Sequence, residues 1–183
     1  MTGPEALAIL HEFTQTDSLR KHASAVEAAM RGYARKFGED EGYWGVVGLL
    51  HDFDWEIHPT LEEHPQKGAE VLRERGVEEA LIQDILSHGQ NTGVPRNTLL
   101  RKTLFAVDEL TGLVIACALV RPSKSLSDLE AKSVIKKMKD KSFAAAVSRD
   151  DLRLGAEELG VELPEHVQFV IEALRPVAGE LGL

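Results

Sequence analysis

Three histidines and one aspartate occupy positions where helical periodicity calls for apolar side chains, and together they could hold a metal ion. Asp108 has Leu104 and Phe105 at i−4 and i−3 and Ile115 at i+7, so its carboxylate points where apolar side chains point. An unpaired charge there would cost several kcal/mol. His22 falls in the stripe of Leu19 and Val26, His51 follows the Val47, Gly48 and Leu50 face, and His88 follows Leu81 and Ile85. Neutral imidazole and carboxylate are the natural ligands of divalent Zn, Fe, Mn and similar ions, so one shared cation would satisfy the whole set. The plain alternative is that each histidine is a satisfied core residue and that Asp108 pairs with an arginine such as Arg101 or Arg35.

Helices must position these groups, because apolar residues recur at helical spacing nearly everywhere and no sustained period-two alternation is present. The fold expected is all-α. A first helix opens at Pro4 and runs to Phe13, and a long one capped by Asp17 or Ser18 ends at Gly38. A third, from about Asp40 to Leu50, stops at the pair His51-Asp52, and the stretch from Phe53 to His64 reads as a loop. Pro65 starts a helix ended by Gly76, a fifth spans Val77 to Ser87, and Asn97 or Thr98 caps a long apolar helix reaching about Val120. Three more are expected, at about 126–139, at 149–159 capped by Ser148, and at about 164–180 with Pro164 in its first turn.

No linker of domain-boundary character interrupts the 183 residues, so the expectation is one domain. The metal-binding core would cover about residues 17–118, with the C-terminal helices at about 123–183 packed on it.

Composition narrows the function. With 21 Lys and Arg against 30 Asp and Glu the formal net charge is −9, which argues against bulk nucleic-acid or anionic-membrane binding. The longest apolar run, Leu113 to Val120, is far short of the ~20 residues of a membrane span, and Met1 to Leu10 contains no basic residue. A lone Cys117 inside that run excludes a disulfide framework and reads as a small buried hydrophobe. These features suggest a soluble cytoplasmic protein. No Gly-rich phosphate loop and no Ser or Cys nucleophile with a triad pattern is present.

The order His22, His51-Asp52, Asp108 resembles the H…HD…D signature of the HD superfamily of metal-dependent phosphohydrolases. The strings LRKHASAVEAAM, GLLHDFDWE, EHPQKGAEVL, ILSHG and LFAVDELTGLV carry the resemblance over about residues 17–118. The whole chain is similar to a small bacterial group of predicted HD hydrolases. The resemblance implies a helical bundle in which His22, His51, Asp52 and Asp108 hold one metal, while Asp52 bridges to a second held by His64 and His88. The cofactor would be one or two divalent ions among Fe, Mn, Zn, Ni, Co and Mg, and the partner a small phosphorylated substrate, a phosphomonoester or phosphodiester, a nucleotide among them. The same six residues resemble the ligands of diiron oxygenases built on the HD scaffold. A non-catalytic metal- or nucleotide-binding module is the third reading.

Adjacent residues on a regular helix point about 100° apart, so His51 and Asp52 can chelate one ion only where the helix unwinds, and the loop signal after Asp52 supplies that. The pair is followed by Phe53-Asp54-Trp55 rather than by the xGK of second-messenger phosphodiesterases, which argues against a cyclic dinucleotide. Asp54 and Glu56, expected in an exposed loop, are candidates for an outer-sphere base or proton shuttle, and Lys67, close after His64, for a phosphate contact. The segment from Arg121 to Lys141 holds seven basic and three acidic residues. Within it Arg121 and Lys124 are candidate anion contacts, although an exposed amphipathic helix with Leu126, Leu129, Val134, Ile135 and Met138 inward accounts for much of the pattern. His11, His58 and His166 are expected at the surface.

Overall fold

A computed structural model describes residues 1–183. The chain is helical throughout, with no strand, as the periodicity predicts. Helix α1 (Gly3–Phe13) begins with Pro4, and the Thr2 amide donates to Glu5. Helix α2 (Asp17–Phe37) starts after Thr16 and ends on Gly38, whose left-handed φ of 74° carries a helix C-terminus without steric cost. Helix α3 (Glu41–Leu50) is capped by Asp40, whose carboxylate accepts from Gly42 and Tyr43 amides. After a long series of turns come α4 (Gln66–Glu74) and α5 (Glu79–Leu86), then α6 (Leu99–Leu119), capped by Thr98. The C-terminal part comprises α7 (Ala131–Met138), α8 (Arg149–Leu159) capped by Ser148, α9 (Leu163–Leu174) and a final short α10 (Ala178–Leu181).

Two boundaries differ from expectation. Helix α7 begins at Ala131 rather than near 126, because Ser125 and Ser127 tie the preceding segment into a turn through a bond from the Ser127 amide to Ser125 Oγ. The last predicted helix breaks at Arg175–Val177 into a 3₁₀ turn, where Pro176 cannot supply the amide that would continue α9.

Helix α2 is the hub, packing on α3, α6 and α9, while α8 packs on α6. Its buried face is rich in alanine (Ala23, Ala25, Ala28, Ala29, Ala34), so neighbours approach closely. At Gly48 of α3 a Cβ would lie 3.1 Å from the Glu27 Cα. One continuous cluster of 43 buried apolar residues runs from Ala6 to Leu181. Cys117 is buried within it, and burial pushes its thiol up to about 11, leaving it unreactive. Leu126, Leu129, Val134 and Met138 also face inward, so the basic segment is an amphipathic cover on the core. No helix is long and apolar enough to cross a membrane.

Candidate metal centre

Where α3 ends, the chain unwinds so that two adjacent side chains can turn toward one point. His51 is the first residue past α3, and residues 51–57 form consecutive turns. Three contacts pin those turns to the junction of α1 and α2. The Phe53 ring is buried and its carbonyl accepts the Thr14 hydroxyl at 2.9 Å. The Glu56 carboxylate accepts the amides of Gln15 at 2.7 Å and Thr16 at 2.9 Å, a negative charge at the N-terminus of α2. Around this segment His22 comes from the second turn of α2, His64 from just before α4, His88 from just after α5, and Asp108 from the middle of α6.

The six side chains form two donor sets that share Asp52. In the first, His22 Nε2 lies 3.2 Å from His51 Nε2, 3.1 Å from Asp108 Oδ1 and 3.8 Å from Asp52 Oδ2. His51 Nε2 lies 3.3 Å from Asp108 Oδ1 and 3.5 Å from Asp52 Oδ2. In the second, the other Asp52 oxygen, Oδ1, lies 3.1 Å from His64 Nε2 and 3.3 Å from His88 Nε2, and the two imidazole nitrogens are 3.0 Å apart. A tetrahedral ion with bonds near 2.05 Å separates its ligand atoms by about 3.3 Å, the middle of this range.

The outer nitrogens fix which atoms face inward. His51 Nδ1 sits 2.8 Å from the Gly48 carbonyl and His88 Nδ1 2.7 Å from the Ile85 carbonyl. A carbonyl can only accept, so both Nδ1 atoms carry the proton and both Nε2 atoms turn a lone pair into the cluster. His64 Nδ1 likewise donates to Asp54 Oδ1 at 2.8 Å. Lone pairs of His64 and His88 thus meet at 3.0 Å, an arrangement that needs a proton or a cation between them.

The electrostatics agree. Burial disfavours charge on His51, yet the Asp52 and Asp108 carboxylates outweigh it and hold the ring well above its ordinary value. His64 is pushed up to about 9 in the same way, burial opposing and Asp52 and Asp54 prevailing. Asp52 and Asp108 are both lowered despite burial, mainly by His51. The cluster is built to enclose positive charge, which is the condition for exchanging protons for metal.

Beside the donors opens a cavity of about 500 Å³ lined by five of the six, His51 lying behind. Helix α6 presents Phe105, Asp108, Glu109 and Gly112 to it, an i, i+3, i+4, i+7 stripe. Trp55 stands edge-to-face with His64, the centroids 5.0 Å apart. Glu109 and Asp151 complete the wall, and neither is singled out by the sequence. The α6 periodicity could have found Glu109, whose carboxyl burial and the Asp108 charge push up to about 7. Asp151 arrives on α8, and no local pattern announces it.

Several sequence candidates lie elsewhere. Asp54, expected to be exposed, is fully buried, and its two oxygens are taken by His64 Nδ1 and, at 3.0 Å, the Gly68 amide. It therefore orients a donor rather than facing substrate. Glu56 is committed to the α2 terminus. Lys67 pairs with Glu70 at 2.9 Å, half exposed, and does not line the cavity. Arg121 is held by Asp128 at 2.7 Å, and Lys124 is an exposed turn residue. Both lie beyond the end of α6, roughly 20 Å along the axis from Asp108. His11 is exposed and His58 partly so. His166, expected at the surface, is buried instead: Nε2 donates to the Ala106 carbonyl at 2.9 Å and Nδ1 accepts the Tyr33 hydroxyl at 2.6 Å.

No curated protein and no solved structure matches this chain at a significant level. A family model does, described as the HD domain, over residues 19–113. That span is more than half of the chain and contains all six donors of the two sets. With the match extending from α2 through the turn of α6 that carries Asp108, the chain belongs to the HD domain family.

Proposed function

We propose that the protein hydrolyses small phosphate esters, mono- or diesters, with divalent cations held by His22, His51, Asp52, Asp108, His64 and His88. The observation that supports this reading is the sharing of Asp52, one oxygen to each donor set, beside a cavity large enough for a small ligand. Bound cations supply Lewis acidity to a phosphoryl group and lower the pKa of water from 15.7 toward about 7.

The chain's own residues perform the remaining work. The Gly48 and Ile85 carbonyls and the Asp54 carboxylate fix the tautomers of His51, His88 and His64, so each ring offers a lone pair without reorganisation. Trp55 and Phe105 form apolar walls that restrict water at the reacting group. No side-chain nucleophile is called for, since Cys117 is buried in the core. A donor set rich in imidazole suits Fe, Mn, Co, Ni or Zn better than Mg.

Protein purified without chelator should contain one or two divalent ions per chain. It should release phosphate from nitrophenyl phosphate esters or nucleotides in the presence of Mn, Co, Ni, Zn or Fe. Asp52→Ala and Asp108→Ala should lose both metal and turnover. Undiminished activity in metal-stripped protein or in Asp52→Ala rejects the mechanism. Iron-dependent oxygen consumption without phosphate release would assign the oxygenase chemistry instead, and metal binding with neither activity a binding module.

A further inference from the structure

The charge pattern of the cavity says more than that a phosphate fits. Resting on the hydrolase reading above, we infer that the preferred substrate is a small ester carrying an ammonium group as well as its phosphate, the ammonium received by the wall of Glu109 and Asp151.

Four carboxylates line this cavity (Asp52, Asp108, Glu109 and Asp151), and no lysine or arginine does. Asp52 and Asp108 belong to the donor sets, which leaves the carboxyl groups of Glu109 and Asp151 on the cavity wall with no role at the metals. Neither forms an ion pair: Glu109 takes a backbone hydrogen bond from Ser148, and Asp151 accepts Gln90 Nε2 at 3.1 Å, with Arg96 near enough to feel its charge. Nearby arginines are committed elsewhere. Arg96 grips Glu158 through two bonds of 2.7 Å and covers the Phe105 ring at 3.8 Å, and Arg101 holds Asp84 at 2.7 Å. The basic segment beyond α6 lies outside the cavity altogether.

A pocket of this kind opposes a polyphosphate. Phosphates beyond the one at the metals would meet these carboxyl groups in a cavity that no lysine or arginine lines. An ammonium group reverses the sign of that interaction, and Trp55 adds an aromatic wall to which a cation is attracted. Asp108 and Glu109 are adjacent, separated by a 1.5 Å rise and about 100° of turn, so metal donor and ammonium acceptor address neighbouring sectors of one cavity. At Gly112, one turn further along, a Cβ would meet no atom within 4 Å, so the cavity is open there.

The test is a matched pair of substrates, 2-aminoethyl phosphate and propyl phosphate, which differ only in ammonium against methyl. With metal-loaded wild-type protein, kcat/KM should favour the aminoethyl ester by about tenfold or more, and adenosine triphosphate should be the poorest of the three. Glu109→Gln and Asp151→Asn should each shrink the ratio, and the double variant should bring it to within about twofold of unity. A wild-type ratio near one, a ratio untouched by both variants, or preference for the triphosphate overturns the inference. If neither these esters nor nitrophenyl phosphate esters or nucleotides are hydrolysed with any divalent ion, the hydrolase reading fails. The same two esters can then be titrated calorimetrically into metal-loaded protein. Tighter binding of the aminoethyl ester, lost in the double variant, upholds the subsite on its own, and equal binding or none removes it.

Discussion

Replacing Asp54 by asparagine changes no volume but forces a choice that can be worked out from two distances. The carboxylate accepts at both oxygens, from His64 Nδ1 at 2.8 Å and from the Gly68 amide at 3.0 Å. An amide has one accepting oxygen. If that oxygen faces Gly68, the NH₂ group faces His64 Nδ1 and reverses the ring's tautomer, so that Nε2 carries a proton pointing at Asp52 and His88 and cannot bind a cation. If the oxygen faces His64, the Gly68 amide is buried against an NH₂ group at a cost of about 1–3 kcal/mol. Space offers little relief, because a Cβ at Gly68 would lie 2.5 Å from Asp54 Cγ. On either branch the set of Asp52, His64 and His88 should lose about 10- to 100-fold in metal affinity, while the set of His22, His51, Asp52 and Asp108 keeps its own. Calorimetric titration of metal-stripped protein with Zn or Mn, checked by metal analysis, resolves the two. Two wild-type affinities in Asp54→Asn, or equal loss from both sets, would refute the orienting role. Gly68→Ala, which drives a methyl group into Asp54, should reproduce the defect without altering any titrating group.

Other expectations follow from residues outside the metal sets. Burial depresses His166 from 6.5 to about 4, so the unfolded chain binds that proton more readily. Its contribution to stability is therefore present above pH 6.5 and lost as pH falls toward 4, amounting to roughly 2 kcal/mol between pH 7.5 and 5. Urea unfolding at those two pH values should show this loss in the wild type and a smaller one in His166→Gln; equal losses would mean the ring is not buried neutral. Glu56→Ala should lower the melting temperature and speed hydrogen exchange at the Gln15 and Thr16 amides, with metal content unchanged. Arg121→Ala with Lys124→Ala should leave phosphate-ester turnover within about twofold, since neither residue reaches the cavity; a tenfold fall would restore them as anion contacts.

The helices were legible in the sequence because their signals are local. Pro4, Gly38, Thr98 and Ser148 act on backbone groups within a turn of themselves, and each marks a boundary the structure has. Pro176 was equally local and stops α9, but periodicity alone runs through it. The Ser125 and Ser127 turn escaped for a related reason, since a serine run reads as a helix cap as readily as a turn.

Side-chain roles were less legible, because they depend on partners far along the chain. Asp54 and Glu56 stand two residues apart in one loop and read alike. What divides them is that Gly68 of α4 and His64 desolvate the first, while the amides before α2 engage the second. His166 has polar neighbours in sequence but Tyr33 and Ala106 as its partners in space.

The sequence by itself determined an all-helical chain, an unwound His51-Asp52 turn, and an ordered series of imidazole and carboxylate groups at inward or helix-terminal positions. Only the tertiary structure decided that these groups meet within 4.8 Å of one another in each of two sets, that Asp52 divides its oxygens between the sets, and that Glu109 and Asp151 share their cavity while five other candidates do not. Helix formation is written in residues three and four apart, whereas a site is a matter of distance and desolvation among residues as far apart as His22 and Asp108.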